Sequence, residues 1–314
     1  MKKIYSLIAL LALSNAFISC KDDEPTEEYS VRDRAEVYGE DKTEIEAYLK
    51  AVYIKSIADN DIVLDSIKTG TPQVSVWDQT TYPLQSFTVK NDSRNSYKTD
   101  GRIDDNVDYK LYYLVLNEGG GSTPATIDST FVTYKGWNLK NKVFDQNFDG
   151  LWFTFPDGAS SISGFRQILQ KVKTAASSTQ NADGSISYVN YGRVVVFIPS
   201  GLAYFNTSTS NIDAYAPIAF NINLLKLKER DHDYDRIPSK YEDLNNDKDY
   251  FNDDTDGDGT PDFLDYDDDN DGFYTKREIR IADTNPYQYY LFDNIPLSAD
   301  GIKVHLDKKD KPTN

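Results

Sequence analysis

The sequence predicts an α+β fold, in which an antiparallel sheet curls around one short helix. Three observations point to it. Strand-like runs follow one another from Tyr109 to about Lys228. A single stretch within that span, Phe165, Ile168, Leu169 and Val172, has helical spacing. Turn-forming clusters such as Gly119-Gly120-Gly121 separate the runs. Five strands and one helix fit a sheet that buries one face on that helix.

The elements follow in order. Ile45, Tyr48, Leu49, Val52 and Tyr53 recur at helical spacing and predict an amphipathic helix over Glu44–Ile57. Val74–Trp77 and Phe87–Val89 read as short strands, and Asn91–Val107 as a polar loop. Tyr109–Leu116 is almost wholly aromatic, β-branched or Leu, and so a strand. Ser129–Tyr134, Leu151–Phe155 and Arg193–Ile198 are further strands. Ile218, Phe220, Ile222 and Leu224 alternate with Ala219, Asn221 and Asn223, the pattern of a half-buried strand. The segment 174–192, rich in Ser, Asn and Gly, reads as an inserted hairpin turning at Asn181–Gly184 and able to cap a site.

At each end the chain differs in character. Lys2 and Lys3 precede an apolar run, Ile4–Ile18, that is short for a membrane span. Residues 1–19 are therefore expected to be a signal peptide. Cys20 is the sole cysteine, which rules out an intramolecular disulfide or a cysteine-rich zinc site. Its place at the end of the apolar run resembles a bacterial lipobox, although Phe17, Ile18 and Ser19 depart from the usual Leu-small-small pattern. Acylation of Cys20 is expected, with 20–40 as a charged tether. That implies an outer-membrane lipoprotein facing the periplasm or the cell surface. Residues 41–108 are expected to form an N-terminal extension and 281–314 a tail, to neither of which the sequence assigns a role.

Charge excludes one class of partner. The chain has 34 Lys and Arg against 51 Asp and Glu, net −17, which argues against nucleic acid. Much of the excess lies between Asp231 and Glu278, with 18 carboxylates against five basic side chains. Asp267, Asp269, Asp271, Thr275 and Glu278 occupy positions 1, 3, 5, 9 and 12 of a twelve-residue calcium loop, with Gly272 at position 6 and the Phe273 carbonyl at position 7. Asp231, Asp233, Asp235, Ser239 and Glu242 repeat the spacing, but Arg236 replaces the glycine. Asp254, Asp256, Asp258, Asp262 and Asp265 give a further loop. Over 231–280 the packed Asp-x-Asp-x-Asp-Gly run resembles thrombospondin type 3 repeats, which implies structural calcium (Ca2+) in place of an apolar core. Calcium is then expected to stabilise this segment and hardly touch the strand-rich domain.

Histidine is absent before His232, so no Ser–His–Asp or Cys–His site can lie in the strand-rich domain. That domain is instead rich in aromatics. Val132-Thr133-Tyr134-Lys135-Gly136, Val143-Phe144-Asp145, Ile162-Ser163-Gly164-Phe165, Ile198–Tyr204 and Ile218–Leu225 stand in that order. They resemble the signature blocks of FKBP-type peptidyl-prolyl cis–trans isomerases over about 109–230. The resemblance implies a half-barrel sheet wrapped on a short helix, with an apolar proline pocket between them. It implies that Tyr134, Phe144, Trp152 or Phe153, Phe165, Ile212 and Phe220 line the pocket, with Phe165 as a floor where the family usually has Trp. Asp145 and Tyr204 would form a polar rim, and the Ile162 N–H would receive a substrate carbonyl. Proline-containing polypeptides would be the clients, and catalysis would need no cofactor. The alternative is a domain of the same fold that binds a partner without catalysis, on a calcium-stiffened spacer.

Overall fold

The computed structural model describes residues 30–58, 61–92, 105–156 and 161–311. The expected signal peptide, Cys20 and the tether up to residue 29 lie outside the described residues. Arg32–Asn314 makes up one contact unit.

Helix α1 spans Arg34–Ala51 and is capped by Asp33, whose carboxylate accepts from the Glu36 N–H. It thus begins within the stretch expected to be tether. The charged residues there form its solvent face, where Arg32 bridges Glu36 and Glu40, while Val37, Ile45, Tyr48 and Leu49 are buried. The helix also ends six residues before the sequence suggested. Val52 donates its N–H to the Tyr48 carbonyl and opens strand β1 (Val52–Ile57), which pairs antiparallel with β2 (Ile62–Ser66). Val52 and Tyr53 satisfy both periods, and their β-branched and aromatic side chains favour the strand. Ser75–Asp78 is a turn, so the expected strand at Val74–Trp77 is absent.

The main sheet has six antiparallel strands: β3 (Gln85–Val89), β4 (Tyr109–Asn117), β5 (Ser129–Asn138), β6 (Val143–Phe153), β9 (Gly192–Ile198) and β10 (Ile218–Lys228), in the order β3-β4-β9-β10-β5-β6. The antiparallel α+β character is as expected. Alternate residues on the central strands go to opposite layers. Val194, Val196 and Ile198 of β9 face a core with helix α2 (Ser163–Ile168), while Val195 and Phe197 face α1 and the β1–β2 hairpin. The N-terminal extension is therefore the second layer of the fold. Because of it, β10 is buried on both faces and not half-buried. Asn223 donates to Thr133 Oγ1 at 2.9 Å and accepts from Arg193 Nε at 3.2 Å, which satisfies polar groups inside the second layer.

The inserted hairpin is β7 (Ser177–Gln180) and β8 (Ile186–Val189). Its Tyr188 packs near Phe131 and under Lys226, on the face of β5 opposite Tyr134. It does not cap the aromatic cluster described below.

The acidic segment is built of short turns, 3-10 helices and α3 (Thr275–Glu278). It is not separate from the sheet. Phe251 and Phe263 pack with Ile127 and Phe155, and His232 Nε2 lies 3.0 Å from the Phe155 carbonyl oxygen. The tail folds back as β11 (Arg280–Ile281) and β12 (Gln288–Tyr289), closing a small core of Ile237, Ile279 and Ile295.

Candidate functional site

The strand alternation gathers the aromatic residues on one side of the sheet. Tyr134 of β5, Phe220 of β10, Phe165 of α2 and Ile212 of the loop before β10 are buried in one cluster. Phe144, Phe153, Ile162 and Tyr204 pack against it half-buried. Phe165 is central, with ring centroids 5.1 Å from Phe220, 5.3 Å from Phe153 and 5.7 Å from Tyr134. Phe144 stands edge-on to Phe220 at 5.3 Å. The Phe165–Phe153 pair is tilted and the others meet edge to face, at favoured separations.

Two breaks shape this edge of β6. Phe144 and Phe153 would face opposite sides of an unbroken strand. Gly136 pairs with Asp145 but Trp137 with Val143, so Phe144 is an extra, bulged residue and joins the cluster out of alternation. The slip between Val132 and Tyr134, where Asn147 Oδ1 accepts from the N–H groups of Asp149 and Gly150 and Gly150 takes φ 95°, adds two residues and keeps the alternation, so Phe153, opposite Thr130, stays on the Tyr134 side. Trp152 is excluded from it: it is 40% exposed on the other face, against Phe131.

At the edge, Tyr134 Oη donates to Asp145 Oδ2 at 2.8 Å. Burial, then the Asp145 carboxylate, pushes the Tyr134 phenol above its ordinary value, and the same two causes raise Tyr204. Both phenols stay neutral at physiological pH. Ile162 caps α2, its carbonyl accepting from Phe165 and Arg166. A cavity of about 320 Å³ opens beside Ile162 and Tyr204, flanked by Arg34, Arg166 and Phe205. Phe165 and Phe220 themselves are only 2% and 4% exposed.

Gly136 escaped the sequence reading as a site residue. It pairs with Phe220 on one side and Asp145 on the other, beneath the rings of Phe220 and Phe144. A Cβ there would lie 2.5 Å from Phe220 and 2.6 Å from Phe144. Gly136→Ala is expected to splay both rings and cost about 1–3 kcal/mol by overpacking. A thermal-unfolding midpoint equal to wild type would contradict this.

The acidic segment holds four similar loops, starting at Asp231, Asp243, Asp254 and Asp267. In each, positions 4 and 6 have left-handed backbone: Tyr234 and Arg236, Asn246 and Lys248, Gly257 and Gly259, Asn270 and Gly272. In the first, third and fourth, the position 9 side chain accepts from the position 2 N–H: Ser239 from His232, Asp262 from Thr255, Thr275 from Asp268. In the second, Asp253 accepts from Leu244. Spacing does not reveal the second loop, because Asn245 and Lys248 stand where Asp and Gly are expected.

The structure brings together Asp267, Asp269 and Asp271 in the fourth loop and Asp254, Asp256 and Asp258 in the third, each set with carboxylate oxygens within 4.8 Å of one another. Glu278 has both oxygens buried without a hydrogen-bond partner, as does Glu242 of the first loop. Burial, then neighbouring carboxylates, raises Glu278 to about 9 and Asp233 to about 10, and burial raises Asp235 to about 7. Ser239, Asp262 and Thr275 close their loops. Asp231 accepts from Arg236 N–H, and Asp265 accepts from Asp267 N–H. Phe273 donates its N–H to Asp271. Hard, anionic oxygens at this spacing suit a divalent cation.

Residues 232–305 match the BamM C-terminal family. No match was found among curated proteins. Among solved structures, FkpA from Escherichia coli is 26% identical over 38% of this chain and 48% of its own, with a TM-score of 0.30. The chain thus spans about half the length of that structure. A peptidyl-prolyl cis-trans isomerase from Pseudomonas syringae pv. tomato is 26% identical over 38% of this chain and 76% of its own, with a TM-score of 0.31. The N-terminal domain of FKBP42 from Arabidopsis thaliana is 15% identical over 38% of this chain and 87% of its own, also with a TM-score of 0.31.

Proposed function

We propose that the chain is a peptidyl-prolyl cis–trans isomerase of the FKBP type, acting on proline-containing polypeptides outside the cytoplasm. The observation that carries this reading is the aromatic cluster edged by the Tyr134–Asp145 hydrogen bond. Core packing accounts for rings, but it does not call for a carboxylate held by a buried phenol at their edge.

The mechanism needs little more. Rotation about an X–Pro bond breaks amide resonance, against a barrier of about 18–20 kcal/mol. The twisted amide is less polar than the planar one, so an apolar enclosure favours it. Phe144, Phe153, Phe165, Ile212 and Phe220 supply the enclosure, and Ile162 and Tyr204 stand where the open cavity meets it. No proton is transferred. With both phenols held neutral by burial, catalysis is expected to be flat from about pH 6 to 9. Proline-limited refolding measured across that range tests this, and a bell-shaped profile centred near 7 would contradict it.

A second reading, a binding module without catalysis, is favoured by one observation. Phe165 and Phe220 are packed ring on ring and nearly closed to solvent, so a proline must displace Phe144 or Tyr204 to reach them.

Structural calcium belongs to the same proposal. Asp267, Asp269, Asp271 and Glu278 would hold one ion, and Asp254, Asp256, Asp258 and Asp265 another. Anchoring at the outer membrane through acylated Cys20 is proposed from the targeting segment, and the BamM C-terminal match is in keeping with that setting. Cys20→Ser is expected to move the protein to the soluble fraction, whereas retention on salt-washed membranes would refute the anchor.

A further inference from the structure

We propose that Asp268 of the fourth loop completes a cation site in the first loop, with Asp233, Asp235 and Glu242, so that one divalent cation staples the two ends of the acidic segment. No spacing rule leads to Asp268. It occupies position 2 of its own loop, which contributes no ligand there, and its N–H is spent on Thr275 Oγ1. Its side chain turns instead to the first loop.

Each of the four carboxylates offers one oxygen, and these four lie within 4.8 Å of one another. Asp235 is 1% exposed, Asp268 2% and Glu242 3%. Both oxygens of Glu242, both of Asp268, and Oδ2 of Asp233 and Asp235 are buried with no hydrogen-bond partner. Four carboxyl groups sharing one buried pocket repel one another when ionised, and burying unpaired charge costs several kcal/mol per ion. Protein side chains usually answer such a cost with donors, as Asp41 is answered here by the N–H and hydroxyl of Ser200. The first-loop pocket has no such answer at these six oxygens. Calcium takes six to eight oxygens, and four converge here, with the second oxygens of Glu242 and Asp268 free for bidentate binding.

The consequence is order. Calcium loops read from sequence are independent beads, whereas here the first loop cannot complete its ligand set until the fourth has folded against it. The segment then closes as one cooperative unit.

This proposal rests on the calcium reading of the segment, and the experiment separates the two. Chelator-stripped residues 21–314 are equilibrated with calcium alone, and bound metal is counted by elemental analysis and titrated calorimetrically. Asp271→Asn probes the fourth loop's own site and is expected to lose one ion. Asp268→Asn is expected to lose a different one, or to weaken it at least tenfold. Combining Asp268→Asn with Glu242→Gln should lose no more than either alone, whereas Asp268→Asn with Asp271→Asn should lose two. Stability gives a second readout: Asp268→Asn should raise the unfolding midpoint in chelator, by relieving repulsion, and lower it in calcium. Full retention of calcium in Asp268→Asn overturns the staple while Asp271→Asn still upholds calcium. Loss of two ions on pairing Asp268→Asn with Glu242→Gln also overturns it, since the two would then serve separate sites. A wild type that binds no calcium ends both ideas. If Asp268→Asn fails to fold, Glu242→Gln alone must lose the same ion, and its retention overturns the proposal.

Discussion

Phe220→Ala is expected to lower kcat/KM for X–Pro isomerisation by about a hundredfold. Phe220 joins the cluster at its densest point, in edge contact with Tyr134, Phe144 and Phe165. Truncation removes the ring that Phe165 and Phe144 lean on and leaves space for water. A wetted enclosure no longer prefers the twisted amide, and the cavity costs about 3–5 kcal/mol of stability. The loss of activity must therefore be read on the folded fraction, scored by circular dichroism. Asp145→Asn supplies the companion result. Its side chain sits at the edge, where it accepts one hydrogen bond from Tyr134, so stability should fall by only about 1 kcal/mol. Activity is expected to fall about tenfold through loss of the charge that orients the phenol. Wild-type rates in folded Phe220→Ala would show that the cluster is core and nothing more.

Removing calcium is expected to have the second large effect, with a size that depends on pH. In metal-free protein the first- and fourth-loop carboxylates are held above their ordinary values, Asp235 to about 7, Glu278 to about 9 and Asp233 to about 10. Across the window from about 4 to 10 the folded state thus binds more protons than the unfolded chain, and stability falls as pH rises. In chelator the unfolding midpoint should be lower at pH 8 than at pH 5. With calcium in hundredfold excess over its Kd, one ion restores about 2.7 kcal/mol, most fully at the higher pH where protons compete least. A midpoint that rises with pH in chelator would contradict the account. The disturbance should also travel. Phe251 packs on Phe155, and the Arg166 guanidinium of α2 lies 3.3 Å above the Phe155 ring. Hydrogen exchange is therefore expected to quicken in α2 on chelation, where the sequence alone suggested that the strand-rich domain would be left untouched.

The legible parts of the fold were those where one local period dominates. β4, β9 and β10 were readable because apolar residues crowd or alternate there, and α2 with the 3-10 turn after it because Phe165, Ile168, Leu169 and Val172 all turn to one core. Val52 and Tyr53 satisfied helix and strand spacing alike, and only pairing with β2 decides between them. The second layer over the sheet could not be read, since Asn221 and Asn223 look like a solvent face until α1 and the β1–β2 hairpin cover it. In the site, the choice between Trp152 and Phe153 is set by their partners on β5, Phe131 and Thr130, and Phe144 joins through a bulge opposite Gly136–Trp137 that no periodicity reveals. Gly136 carries no side chain to notice. In the acidic segment, the loops with Gly at position 6 stood out, while Lys248 concealed another. Asp268 acts across loops, through a contact that sequence spacing does not encode.

The most direct test of the central claim is exchange NMR on a short X–Pro peptide with catalytic amounts of residues 21–314. Cis–trans exchange, otherwise tens to hundreds of seconds at 25 °C, is expected to become fast enough to give exchange cross-peaks, and Phe220→Ala to remove them. A peptide that binds, shifting its resonances at the Phe144 and Tyr204 edge, yet exchanges no faster would contradict isomerase function and leave a binding module.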